Sequence, residues 1–131
     1  MKLRHVVPFV LLTACASPGP EPAESGLQLT VSPASPEAGE TVTLTLNNQT
    51  AWPVSYNLCT SSLERDVAGE WQPVPEDRIC TMELRLLAPD EAAETEIELL
   101  SPLEPGSYRY TVSVEDRGSM EPVSSEPFRI R

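Results

Sequence analysis

Tyr108-Arg109-Tyr110-Thr111-Val112-Ser113-Val114 is the longest strictly alternating stretch of the chain. On an extended backbone this spacing puts Tyr108, Tyr110, Val112 and Val114 on one face and Arg109, Thr111 and Ser113 on the other, the pattern of a half-buried β-strand. The same period recurs upstream and downstream. Leu27, Leu29 and Val31 alternate with polar residues until Pro33 and Pro36 interrupt them, and Val42, Leu44 and Leu46 alternate with threonines until Asn47-Asn48-Gln49 supplies turn chemistry. Val54, Tyr56 and Leu58 predict a strand running into Cys59, and Leu63–Val67 and Glu70–Val74 predict two short strands around Ala68-Gly69. Met82, Leu84 and Leu86 face one way with Glu83 and Arg85 opposite, closed by Pro89; Thr95, Ile97 and Leu99 alternate with Glu94, Glu96 and Glu98. Val123 to Ile130 predicts a last strand with Phe128 and Ile130 inward.

No apolar repeat of helical period survives over a useful length, and Asp90 to Leu100 is better explained as a turn followed by a strand. The chain is therefore expected to be all-β. Its short strands, broken by Pro, Gly and Asn signals at intervals of about ten residues, indicate an antiparallel β-sandwich of immunoglobulin type. Three local patterns resemble bacterial immunoglobulin-like domains. Pro36-Glu37-Ala38-Gly39-Glu40-Thr41-Val42-Thr43-Leu44 is similar to that family's lead into strand B, and Leu87-Ala88-Pro89-Asp90-Glu91 to the lead into the strand before the E–F corner, with Asp90 where Gly is usual. Leu103-Glu104-Pro105-Gly106-Ser107-Tyr108 resembles the start of strand F, and the resemblance implies a tyrosine corner at Tyr108. Such sandwiches host many unrelated roles, so the resemblance speaks to fold.

At the other end of the chain, Lys2 and Arg4 precede the apolar run Val6 to Leu12, and Leu12-Thr13-Ala14-Cys15 follows. Basic start, short apolar segment and small residues are in signal-peptide order, and the run is too short to span a bilayer, which takes roughly 20 residues. The box resembles that of bacterial lipoproteins, which implies removal of residues 1–14 and diacylglyceryl modification of Cys15. Residues 15–26, rich in Pro, Ser and Glu, are then a disordered tether between the lipid and an immunoglobulin-like domain at 27–131. The implied location is the bacterial cell envelope, with the protein held to a membrane through lipid on Cys15. Ala16 in place of Asp leans toward the outer membrane, at its periplasmic face or the surface, if the source is Gram-negative.

Composition narrows the chemistry. The sole histidine, His5, and the sole lysine, Lys2, both lie in the leader, so the expected mature chain lacks histidine catalysis, histidine metal sites and lysine nucleophiles. The full chain's net charge of -11, spread along the sequence, argues against nucleic acid and describes a solvated surface. No enzyme, metal or cofactor is expected. With Cys15 acylated, Cys59 and Cys80 remain as a pair, and in an exported domain they predict a disulfide.

Candidate contact residues are few. Trp52 lies in the loop after Asn47-Asn48 and could anchor a partner, whereas Trp71, in Glu70-Trp71-Gln72-Pro73-Val74, is expected to pack. Glu115 to Glu121 is expected to be a polar F–G loop, where sandwiches often carry recognition residues, with Arg117 and Met120 as its candidates. The expectation is a non-catalytic binding or scaffolding module acting on an envelope protein. The alternative is a regulator such as a protease inhibitor, since some bacterial inhibitors share this sandwich.

Overall fold

A computed structural model describes residues 26–100 and 102–131. The leader, Cys15 and most of the tether lie outside these residues. Ten strands follow in order: β1 Leu27–Ser32, β2 Thr41–Asn48, β3 Val54–Tyr56, β4 Ser62–Val67, β5 Glu70–Pro73, β6 Arg85–Leu87, β7 Ala92–Glu98, β8 Gly106–Asp116, β9 Ser119–Ser124 and β10 Phe128–Ile130. A 3-10 turn, Leu58–Thr60, stands between β3 and β4. All strand pairs are antiparallel. One sheet runs β1-β2-β7, and the other is built on β8, which pairs with β3, β4, β9 and β10 and carries β5 and β6 beyond them.

The alternation predicted for β8 holds residue by residue. Tyr108, Tyr110, Val112 and Val114 are each at most 1% exposed, facing Leu29, Val42, Leu44, Leu46 and Ile97 of the opposite sheet across the core. Phe128 of β10 stacks on Tyr110 with ring centroids 5.8 Å apart and lies 6.3 Å from the Tyr108 ring, closing one end with three aromatic rings. The Tyr108 hydroxyl donates to the Glu104 carbonyl at 2.6 Å, the tyrosine corner that the resemblance implied. Asp90 takes φ 65° and its N–H bonds the Asn48 carbonyl at 2.7 Å, so the residue standing in for Gly adopts the left-handed turn that Asp tolerates.

Four expectations are corrected. The strand predicted from Val54 into Cys59 stops at Tyr56, because Asn57 caps a 3-10 turn: its side chain accepts from the Cys59 N–H at 3.2 Å. β3 and β4 nonetheless follow the same edge of β8, since β9 and β10 occupy the other. Ser55 pairs with Glu115 and Ser62 with Thr111, so seven residues on one strand span four on the other. The 3-10 turn is the surplus, a bulge of three extra residues. Second, the strand predicted over Met82–Leu86 is reduced to Arg85–Leu87, and its inward residue is Leu87, at 3% exposure; Met82, Leu84 and Leu86 all face solvent. The bulge explains this, because extending the β3–β6 register brings Leu84 to Asn57 and Met82 to Cys59, where no strand remains to pair.

Third, the strand predicted over Val123–Ile130 is two strands. Pro127 has no N–H to offer, and across the break the Ser125 N–H donates to the Tyr110 carbonyl while the Ser125 hydroxyl accepts from the Tyr110 N–H. Fourth, the predicted F–G loop is shorter than expected: Glu115 and Asp116 belong to β8, Ser119, Met120 and Glu121 to β9, and only Arg117 and Gly118 make the turn. Both have positive φ, 49° and 82°, as a two-residue turn matched to strand twist requires.

The predicted disulfide is present. Cys59 in the bulge is bonded to Cys80, with Cα atoms 5.7 Å apart, and ties the bulge to the connection ahead of β6.

Candidate functional site

The site grows from a residue that sequence reasoning assigned to a turn. Asn48 is the last residue of β2 and is fully buried. Its amide uses every hydrogen-bonding capacity it has: Nδ2 donates to the Trp52 carbonyl (2.8 Å) and the Leu87 carbonyl (3.0 Å), and Oδ1 accepts from Thr50 N–H (3.0 Å) and the Thr50 hydroxyl (2.6 Å). Thr50 closes the loop with its hydroxyl oxygen, which accepts from the Trp52 N–H at 3.3 Å. The backbone of the β2–β3 loop is thus fixed around Trp52, whose side chain stands out 52% exposed.

The β8–β9 turn lies beside it, because β3 pairs with the end of β8. The Arg117 guanidinium carbon sits 5.7 Å from the centroid of the Trp52 ring, and its Nε is 3.3 Å from Asp116 Oδ1. An exposed contact of this kind contributes about 0.5–1 kcal/mol, enough to bias two side chains toward one arrangement but not to hold the fold. Two of the three predicted contact residues, Trp52 and Arg117, are therefore brought together. Met120 is placed differently, on β9 opposite Glu115 and 60% exposed, on the outer face of the sheet.

Trp71 packs, as predicted, by a route the sequence did not show. The Arg109 guanidinium lies 4.5 Å from its ring centroid and donates through Nε to Glu64 Oε1 at 2.8 Å, and the Thr111 hydroxyl donates to the same oxygen at 2.8 Å. Burial alone would raise the Glu64 carboxyl, but the Thr111 and Arg109 hydrogen bonds and the Arg109 charge together hold it below its ordinary value of 4.5. A depressed folded-state pKa means this carboxylate stabilises the fold above the unfolded value and loses that contribution as pH falls through the folded one. The expected result is that Glu64→Gln removes part of the stability at neutral pH and that its difference from wild type shrinks steadily below pH 4.5, as read from urea midpoints across the acid range.

Among the described residues no group of three or more His, Cys, Asp or Glu is arranged to hold a metal ion, and no helix is long and apolar enough to cross a membrane. The site is a small aromatic and cationic tip on a rigid sandwich.

Comparison by family places this fold. A model of bacterial Ig-like domains matches residues 23–122. The chain belongs to the bacterial Ig-like domain family. As a bacterial Ig-like domain, it carries the sandwich described above, whose form suggests a non-catalytic binding module. No curated protein matches the sequence. Among solved structures this Ig-like chain is similar to the archaellum periplasmic stator protein FlaG from Sulfolobus acidocaldarius, with 24% identity, a TM-score of 0.48, and 78% of this chain and 99% of that one covered. It is similar to a PapD-like domain of human CEP192 at 17% identity, covering 100% and 96% of the two chains, with a TM-score of 0.39. It is also similar to the alkylpurine DNA glycosylase AlkC from Pseudomonas fluorescens at 17% identity and a TM-score of 0.45, spanning 83% of this chain and only 31% of the glycosylase.

Proposed function

We propose that this chain is a lipid-anchored protein of the bacterial cell envelope whose Ig-like domain binds a partner protein through the Trp52–Arg117 tip, without catalysis. The observation that carries the reading is the contrast at Trp52: a large aromatic side chain left half in water on a loop whose backbone is clamped by a buried amide. Rigid aromatic groups with a neighbouring cation are efficient contact residues because little freedom is lost on docking. Met120 extends the contact surface along the outer face, and Cys15 supplies the anchor.

The direction of attachment supports a partner close to the membrane. Leu27 pairs with Asn48, and the Gln49 N–H donates to the Gly26 carbonyl at 2.8 Å, so the described chain begins at the end that carries the tip. A tether of the length between Cys15 and Gly26 reaches roughly 30 Å when extended.

Two measurements test this. Growth of a bacterial host expressing the full chain on labelled palmitate is expected to label the wild type and leave Cys15→Ser unlabelled; an unlabelled wild type removes the anchor. Crosslinking in intact envelopes is expected to yield one partner band with wild type and about tenfold less with Trp52→Ala. Equal recovery with both would remove the tip, and recovery of a protease whose activity falls on adding the protein would make the module an inhibitor.

A further inference from the structure

Burial and sequence pattern part company in Met82-Glu83-Leu84-Arg85-Leu86. The apolar side of this stretch is 93%, 57% and 74% exposed at Met82, Leu84 and Leu86, although strict alternation ordinarily accompanies a covered face. The stretch leads into a rim of the larger sheet: Met82–Leu84 run outside any strand, and β6, which follows, pairs with β3 along one side while no strand among the described residues takes the other. It is already fixed at both ends. The Cys59–Cys80 bridge and the Asn57 Nδ2 hydrogen bond to the Thr81 carbonyl at 2.7 Å hold its start, and the β6 ladder holds its finish, so docking another strand there orders little new chain.

The rim is complementary to itself. Laid antiparallel on a second copy about Leu84, Glu83 falls opposite Arg85, Met82 opposite Leu86, and Leu84 opposite Leu84. Every charged pair in that register is attractive and every apolar residue meets an apolar one. Moving the centre by one residue sets Glu83 against Glu83 or Arg85 against Arg85, so charge selects the Leu84 register. The chain's net charge of -11 opposes indiscriminate association of copies, and the rim is where that repulsion is locally replaced by attraction. We propose that two copies of this chain join rim to rim as a two-fold antiparallel pair centred on Leu84, extending the larger sheet across both.

Paired residues across such a ladder have Cα atoms about 4.5–5.5 Å apart, within reach of a disulfide. Under mild oxidation of the full chain, Leu84→Cys is expected to give a covalent dimer on a non-reducing gel, with Met82→Cys or Leu86→Cys alone giving none and the two together giving one. Wild type, carrying Cys15, is the control, and intact mass verifies the Cys59–Cys80 bridge in each variant. In the Leu84→Cys background, Glu83→Arg or Arg85→Glu is expected to lower dimer yield about tenfold, and the double exchange to restore it. Yields equal to wild type at position 84, equal yields at 82 and 84, or indifference to the charge exchange would overturn the pairing. Crosslinking of Leu84→Cys to a different polypeptide would overturn it as well and assign the rim to a foreign strand.

Discussion

Asn48→Ala is expected to lower the unfolding free energy by about 3 kcal/mol and the melting temperature by roughly 15 °C, the largest single-residue effect outside the apolar core. The reasoning rests on what the amide leaves behind. Removing it strands the Leu87 carbonyl and the Thr50 N–H, leaves the Trp52 carbonyl to the Thr50 hydroxyl alone and opens a void at a site with no exposure. A buried polar group without a partner costs about 1–3 kcal/mol, and one of the four bonds here, to the Leu87 carbonyl, ties the loop to a residue 39 positions away. Against a total stability of about 5–15 kcal/mol for a domain of this kind, the loss is a large fraction. Chemical unfolding with Trp fluorescence reports both parts of the effect, because Trp52 loses its fixed backbone as the fold weakens. A variant within about 0.5 kcal/mol of wild type would show that the loop and β6 hold their places without the amide.

The paired substitution Cys59→Ala with Cys80→Ala is expected to cost about 3 kcal/mol, since the bridge closes a loop with a sequence separation of 21 residues. The effect should appear as a lower unfolding midpoint in the double variant and in reduced wild type alike. It has a local component too: the bulge at Leu58–Thr60 and the connection ahead of β6 face each other through that bridge and through Asn57. Faster hydrogen exchange is therefore expected at Thr81–Leu84 in the double variant, with β2 and β8 keeping their protection. Unchanged midpoints would mean that the Asn57 and Arg78 contacts already restrain this connection, Arg78 donating to the Ser61 carbonyl at 2.6 Å.

What the sequence made legible follows from where period two is enforced locally. β1, β2, β7 and β8 show it because each lies in a regular ladder with one face on the core, and their inward residues could be named in advance. The turn at Asp90 and the Tyr108 corner were legible through resemblance. Asn48 was not, because a polar residue at a strand end looks the same whether it faces solvent in a turn or is buried against a carbonyl from β6; only the tertiary partner distinguishes them. The bulge was missed because Leu58 and Cys59 continue the apolar run of Val54 and Tyr56, although Asn57 in that run was a usable signal for a cap. At the candidate tip, Trp52, Arg117 and Met120 were singled out by residue type and loop position. The Trp52–Arg117 proximity depends on β3 pairing with the end of β8, which no local pattern encodes.

The surplus on the β3–β4 edge also governs which length changes this chain tolerates. Val54 and Leu63 both face the core, yet one number is even and the other odd, so an uninterrupted strand would send one of them outward. An odd surplus restores the phase. Excising Leu58–Thr60 as a block keeps every later core side chain pointing inward, whereas losing one or two of these residues leaves a shorter irregularity to absorb the mismatch. A shortening of this chain should accordingly be accommodated here as loss of the whole three-residue surplus, which carries away Cys59 and leaves Cys80 without its partner.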